Sequence, residues 1–218
     1  MYYDACADDA RLTIENALDA AAHGAAVANY VVLDGFAKAG GNIASAALRD
    51  AENGETFELR ARVFVNAAGP WVDDVRRLDD PAASASLRLT KGVHLVFPYR
   101  AIPVNESLVL SDDGNRIVFV MPYDKYVVVG TTDTDFNGDR ERVRADRSDV
   151  DYLLAVLRDN LPGIKLTPGD VASSFAGLRA LLLVEGRSPS AVPREETILT
   201  SASGLISRTE LRRGPAPS

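Results

Sequence analysis

The chain has 218 residues, 46% of them hydrophobic and 25% charged, enough for one large domain or a domain and a half around a packed core. Its net charge of -7 lacks the clustered Lys and Arg of a nucleic-acid surface, so no nucleic-acid partner is expected. The single cysteine, Cys6, excludes an internal disulfide and any multi-cysteine metal site, and no metal is expected.

No apolar run approaches the length of a membrane span, and "MYYDACADDAR" lacks the basic flank and apolar core of a signal peptide. A reducing cytoplasm is the default compartment. Asp8 suits the N-cap of a helix over 8–23, with Leu12, Ile14, Ala17, Leu18, Ala21 and Ala22 at helical spacing and Gly24 as the stop. A strand is predicted over Val27 to Leu33, and Asn53-Gly54 marks a hairpin between two further strands. Val63-Phe64-Val65 is short, apolar and β-branched, which predicts a strand buried on both faces. Pro70 fits the first helical position of "PWVDDVRRL".

Residues 80–86 read as a loop. Strands are predicted at Leu87 to Leu89, His94 to Phe97, Leu108 to Leu110, Ile117 to Met121 and Tyr126 to Val129. "SDVDYLLAVLRDN" predicts a helix capped by Ser148, with Tyr152, Leu153, Val156 and Leu157 on its apolar face. "DVASSFAGLRALLL" predicts a last long strand, followed by a loop rich in Gly, Pro and Ser. The tail "RTELRRGPAPS" has no apolar period and is expected to be disordered. The sum is an α+β chain with antiparallel neighbours in its middle.

Four stretches carry residues suited to chemistry. In "VFVNAAGPWVDD" a strand meets small residues at a helix start, which suits either close ligand approach or a tight packed turn. In "LTKGVHLVFP" His94 follows Lys91 and Gly92, which are expected at its mouth; a histidine can take a proton near neutral pH, as alcohol oxidation requires. In "GTTDTDF" Thr131 and Thr132 offer hydroxyls, and Asp133 an acceptor suited to ordering a base or binding substrate hydroxyls. Taken alone, the same residues read as a strand end with local side-chain bonds. In "SSFAGLRALLL" Arg179 lies within an apolar strand, and Arg194 follows in "SAVPREETIL". A desolvated guanidinium needs an anion, and its planar fork suits phosphate or carboxylate; surface salt bridges are the alternative.

These stretches, in this order and together with "YYDACADDARLTIENA" and "PREETILTSASGLIS", resemble the FAD-dependent glycerol-3-phosphate dehydrogenase family over residues 2–207. The resemblance implies a mixed, largely antiparallel substrate-domain sheet with helices, plus a remnant of a Rossmann-like FAD-binding domain. It implies division at 1–80 (flavin-domain remnant), 81–185 (substrate domain), 186–207 (return to the flavin domain) and 208–218 (tail). His94 would be the base beside the reacting carbon, with Thr131 and Asp133 nearby. Arg179 and Arg194 would hold the substrate phosphate, and Ala67, Ala68, Gly69 and Trp71 would contact the flavin. The implied reaction takes sn-glycerol 3-phosphate to dihydroxyacetone phosphate by hydride transfer to FAD, with electrons passing to a membrane quinone. A homodimer and peripheral attachment to the inner face of the plasma membrane stay open.

The sequence departs from the family at both ends. No G-x-G-x-x-G opens the chain, and the "GGK" stretch expected after "SGLIS" is replaced by "SRTELRRGPAPS". The chain is therefore expected to be a piece of a longer enzyme, inactive alone and unable to retain FAD. Two alternatives stand beside this reading: an amino-acid or sarcosine oxidase type of flavoprotein, and a non-catalytic α+β binding module.

Overall fold

A computed structural model of the chain describes residues 7–112, 116–183 and 197–209. The chain divides into two compact units, Met1–Arg62 and Val63–Ser218. In the first unit, α1 (Asp9–Ala22) is capped by the Asp8 carboxylate, which accepts from the Arg11 N–H. An antiparallel sheet of β1 (Val31–Ala39), β2 (Asn42–Asp50) and β3 (Thr56–Leu59) follows. The Asn53-Gly54 signal sits in the β2–β3 turn, where Gly54 takes φ +79°.

The second unit opens on β4 (Val65–Asn66), a 3-10 turn (Gly69–Trp71) and α2 (Val72–Asp79). The expectation of a doubly buried strand here is overturned: Val63 and Val65 are 57% and 62% exposed. Among the described residues β4 is two residues long and pairs only with β12 (Ile206–Thr209), in parallel, which leaves Val65, and Val63 ahead of it, uncovered. Antiparallel to β12 lies β11 (Thr197–Thr200). The loop after α2 is fastened by Asp73, whose carboxylate accepts from Arg76, the Ser86 hydroxyl and the N–H groups of Ser86 and Leu87. Burial raises the pKa of this carboxyl, but the hydrogen bonds outweigh it and hold the group below its ordinary value.

The main sheet contains β5 (Leu87–Pro98), β6 (Leu108–Ser111), β7 (Ile117–Tyr123), β8 (Tyr126–Gly130), β9 (Thr134–Asp135) and β10 (Ser173–Leu182). All its pairings are antiparallel, in the order β10-β5-β8-β7-β6, with β9 extending the β8 side of β5. The two strands expected over 87–97 are one, because pairing with β10 continues without a break through Lys91 and Gly92. Likewise β7 runs past Pro122 to Tyr123.

Strand alternation divides this sheet by face. Val93, Leu95, Phe97, Val118, Val120, Val127 and Val129 are fully buried and form one core with Leu153, Leu154, Val156 and Leu157 of α3 (Arg147–Asn160). The cap of α3 is Asp146, not Ser148: Asp146 accepts from the Ser148 and Asp149 N–H groups while Asp149 accepts from the Asp146 N–H. Both carboxylates also receive a buried cation.

Candidate functional site

That cation is Lys91. Its strand position puts it on the α3 face with Val93, where its ammonium donates to Asp146 (2.7 Å) and Asp149 (2.6 Å). Lys91 and Asp149 side chains are only 9% and 3% exposed. Lys91 therefore does not stand at the mouth of His94. Adjacent residues in a strand point to opposite faces, and Lys91 is an odd number of positions from His94.

The face opposite the core gathers the other candidates. The pairings His94↔Gly130, Phe175↔His94 and Gly177↔Gly92 put these residues on one side, with Arg179 two positions beyond Gly177. The His94 ring stacks on Phe175 with centroids 4.7 Å apart and planes 10° from parallel. It lies over Gly130, where any side chain would overlap the imidazole. A Cβ on Gly92 would stand 2.8 Å from the Thr131 hydroxyl and 2.9 Å from both terminal nitrogens of Arg179. The two glycines are spacers that let a ring, a hydroxyl and a guanidinium share one patch of sheet.

Arg179 has a counter-ion within its own chain. Its Nη1 donates to the Thr132 carbonyl (3.1 Å) and to Asp133 Oδ1 (3.3 Å), and its Nη2 donates to Thr131 Oγ1 (3.1 Å). With 36% of its side chain exposed, Arg179 is not a desolvated charge that only a ligand could neutralise. Asp133 thus meets Arg179, and Thr131 accepts from the same fork while donating to the Thr132 carbonyl. The peptide bond between Gly130 and Thr131 is cis. Arg194 lies outside the described residues.

Ala67, Ala68, Gly69 and Trp71 form the turn between β4 and α2, and the Gly69–Trp71 segment lies against β10. Asn66 shapes this turn: its Nδ2 donates to the Val72 carbonyl and Ser207 Oγ, and its Oδ1 accepts from the Ala68 N–H. Gly69 takes φ +54°, and among the described residues beyond its chain neighbours no atom stands within 4 Å of where its Cβ would be. A small-residue turn with open space on its outer side fits the approach of a flat ring system. Arg140 braces it, donating to the Pro70 carbonyl (2.8 Å), pairing with Asp74 (2.5 Å) and resting 5.8 Å over the Trp71 ring.

Sequence reasoning passed over Gly92 and Gly130 as spacers, Phe175 as the partner of His94, and Arg140. The period-two spacing Phe175-Gly177-Arg179 was a usable signal, since it puts all three on one face.

An aerobic glycerol-3-phosphate dehydrogenase of Bacillus subtilis is 36% identical over 94% of this chain and 37% of its own length. An alpha-glycerophosphate oxidase of Streptococcus pneumoniae is 41% identical over 84% of this chain and 31% of its own. The chain thus spans about a third of the length of these relatives. The solved glycerol-3-phosphate dehydrogenase of Bacillus halodurans, complexed with FAD, matches with a TM-score of 0.82 at 36% identity, over 92% of this chain and 38% of that one. The L-proline dehydrogenase of P. horikoshii shares the fold at 13% identity, with a TM-score of 0.70. Residues 1–205 match the family described as FAD dependent oxidoreductase, and the chain belongs to that family.

Proposed function

We propose that this chain supplies the substrate-facing sheet, and one turn of the flavin site, of an enzyme that oxidises sn-glycerol 3-phosphate to dihydroxyacetone phosphate. The observation that carries the reading is the common face of His94, Thr131 and Arg179, cleared by Gly92 and Gly130. The names of the relatives supply the substrate. In this reading His94 takes the proton of the secondary hydroxyl, its ring held flat by Phe175. Arg179 turns part of its fork to the phosphate, and Arg194 is the second phosphate ligand. Ala67, Ala68, Gly69 and Trp71 border the flavin. FAD, when bound, would supply the oxidising capacity as acceptor of the hydride from the carbinol C–H, with a membrane quinone as the final electron acceptor.

Arg179→Lys in the complete enzyme tests the substrate. A point charge cannot reproduce the planar fork, so transition-state stabilisation with glycerol 3-phosphate should fall by about 1–3 kcal/mol. Glycerol, which lacks the phosphate, should be a poor substrate for both forms and hardly affected by the change. Equal losses in kcat/KM on the two substrates would remove Arg179 from the phosphate site.

A further inference from the structure

Between the pairs His94↔Gly130 and Lys91↔Thr134, β5 advances three residues while its partner chain advances four. One residue is extra, so residues 131–133 bulge out of the ladder. At that bulge the edge of β5 is met by a side chain. Thr132 Oγ1 accepts from the Val93 N–H at 3.0 Å and donates to the Lys91 carbonyl at 3.3 Å. The hydroxyl stands where the backbone of a regular strand would have stood. The strand it grips is fixed from beneath, because the Lys91 ammonium is bound to Asp146 and Asp149 at the start of α3.

The same residue reaches the other way through its backbone. The Thr132 carbonyl accepts from Arg179 Nη1 and from the Thr131 hydroxyl, each at 3.1 Å. Its own hydroxyl has its donor and one acceptor site in use, and Thr132 is 2% exposed, so it is not a ligand-binding group. We infer that Thr132 is a positioning residue: its hydroxyl replaces the ladder bonds at the bulge and so sets the direction in which Arg179 and Thr131 face an anionic substrate. The identity of that anion rests on the function proposed above, whereas the fixing of Arg179 does not.

The test uses the protein labelled with 15N at arginine, and compares Thr132→Val, which keeps the volume, with Thr132→Ser, which keeps the hydroxyl. In the wild type and in Thr132→Ser, the guanidinium of Arg179 should show the separate Nη resonances of a group that cannot rotate freely, assigned by their loss in Arg179→Lys. In Thr132→Val they should merge into one averaged signal. Glycerol 3-phosphate should bind roughly tenfold more weakly to Thr132→Val, about one hydrogen bond's worth, and within about twofold of wild type to Thr132→Ser. An unchanged Arg179 signature in Thr132→Val, or a merged one in Thr132→Ser, would overturn the inference. A measurement on the wild type alone serves if the valine variant does not fold: the Val93 amide should resist hydrogen exchange, and exchange at the rate of an exposed amide would equally overturn it. If the signatures behave as expected and glycerol 3-phosphate binds to none of the forms, Thr132 keeps its role and the substrate reading falls instead.

Discussion

Asp133 gives Arg179 a counter-ion inside the chain, and this changes what the arginine does before any ligand arrives. The pair is about one-third exposed on each side, so the carboxylate orients the fork without locking it behind protein, and exchange for a phosphate is physically accessible. Asp133→Asn should therefore separate two effects. If the carboxylate competes with the incoming anion, affinity for glycerol 3-phosphate should rise severalfold; a calorimetric titration that shows weaker binding would make Asp133 an aid to binding instead. Gly92→Ala probes the same patch from below. The new methyl would meet the ends of flexible side chains, Arg179 and Thr131, rather than backbone. Stability should drop by only about 1 kcal/mol, at the low end for overpacking, while anion binding should suffer more than the melting curve indicates.

At the scale of elements, the contact that matters is the junction of β5 with α3. Burial lowers the pKa of Lys91, but its hydrogen bonds to the Asp146 and Asp149 carboxylates outweigh it, and the ammonium ends above its ordinary value. The Lys91 hydrogen bond, followed by those of the Ser148 hydroxyl and the Asp149 N–H, holds the Asp146 carboxyl well below the usual carboxylate range. The signs follow from linkage. The Lys91 contribution is complete below the unfolded lysine value of about 10.4 and is lost as pH rises through the folded one. The Asp146 contribution is present above the unfolded value of about 3.9 and is lost as pH falls, moderated by the exposure of that side chain. Melting temperatures should thus hold between those limits and decline outside them. Lys91→Met should lower stability by about 3–5 kcal/mol, because it strands the buried Asp149 carboxylate. Adding Asp149→Leu should recover much of the loss in urea unfolding. Thr90 makes the opposite case: it is fully buried, and its hydroxyl has no hydrogen-bond partner among the described residues. Thr90→Val should raise stability by about 1 kcal/mol, since it removes an unsatisfied polar atom without changing shape much. An equal loss would mean that the hydroxyl is satisfied.

For the molecule as a whole, the second unit holds both the sheet face of His94 and Arg179 and the Asn66–Trp71 turn, with the turn against β10. Proposed substrate residues and proposed flavin residues therefore belong to one compact body, and Arg140 ties the loop after β9 to the turn. What this sequence does not carry is a G-x-G-x-x-G turn, whose N–H groups would cradle a pyrophosphate. Purified as the sequence stands, the protein should be colourless. A yellow preparation with one FAD per chain would show that the Asn66–Trp71 turn holds flavin without such a cradle. Among the described residues no helix is long and apolar enough to cross a membrane, so a quinone acceptor is best tested directly, by quinone reduction with the complete enzyme in membranes.

The sequence by itself determined the elements whose signal is local. Asp8 as cap and Gly54 in a turn depend on bonds within a few residues, and the apolar face of α3 and the strands β7 and β8 depend on local pattern, so all were legible in advance. The motifs around His94, Thr131 and Arg179 could likewise be found in the string. The tertiary structure alone decided which way each charge faces. Lys91 and His94 look like neighbours in "TKGVH", yet a strand turns them to opposite faces, one to Asp146 and the buried Asp149 and one to Phe175. Arg179 and Asp133 are 46 residues apart in the chain, and only the bulge between β8 and β9 makes them an ion pair. Local patterns fix backbone conformation because their interactions span one turn or one pleat. The partner of a charge is fixed by register between distant strands, and a single extra residue at position 131–133 resets it.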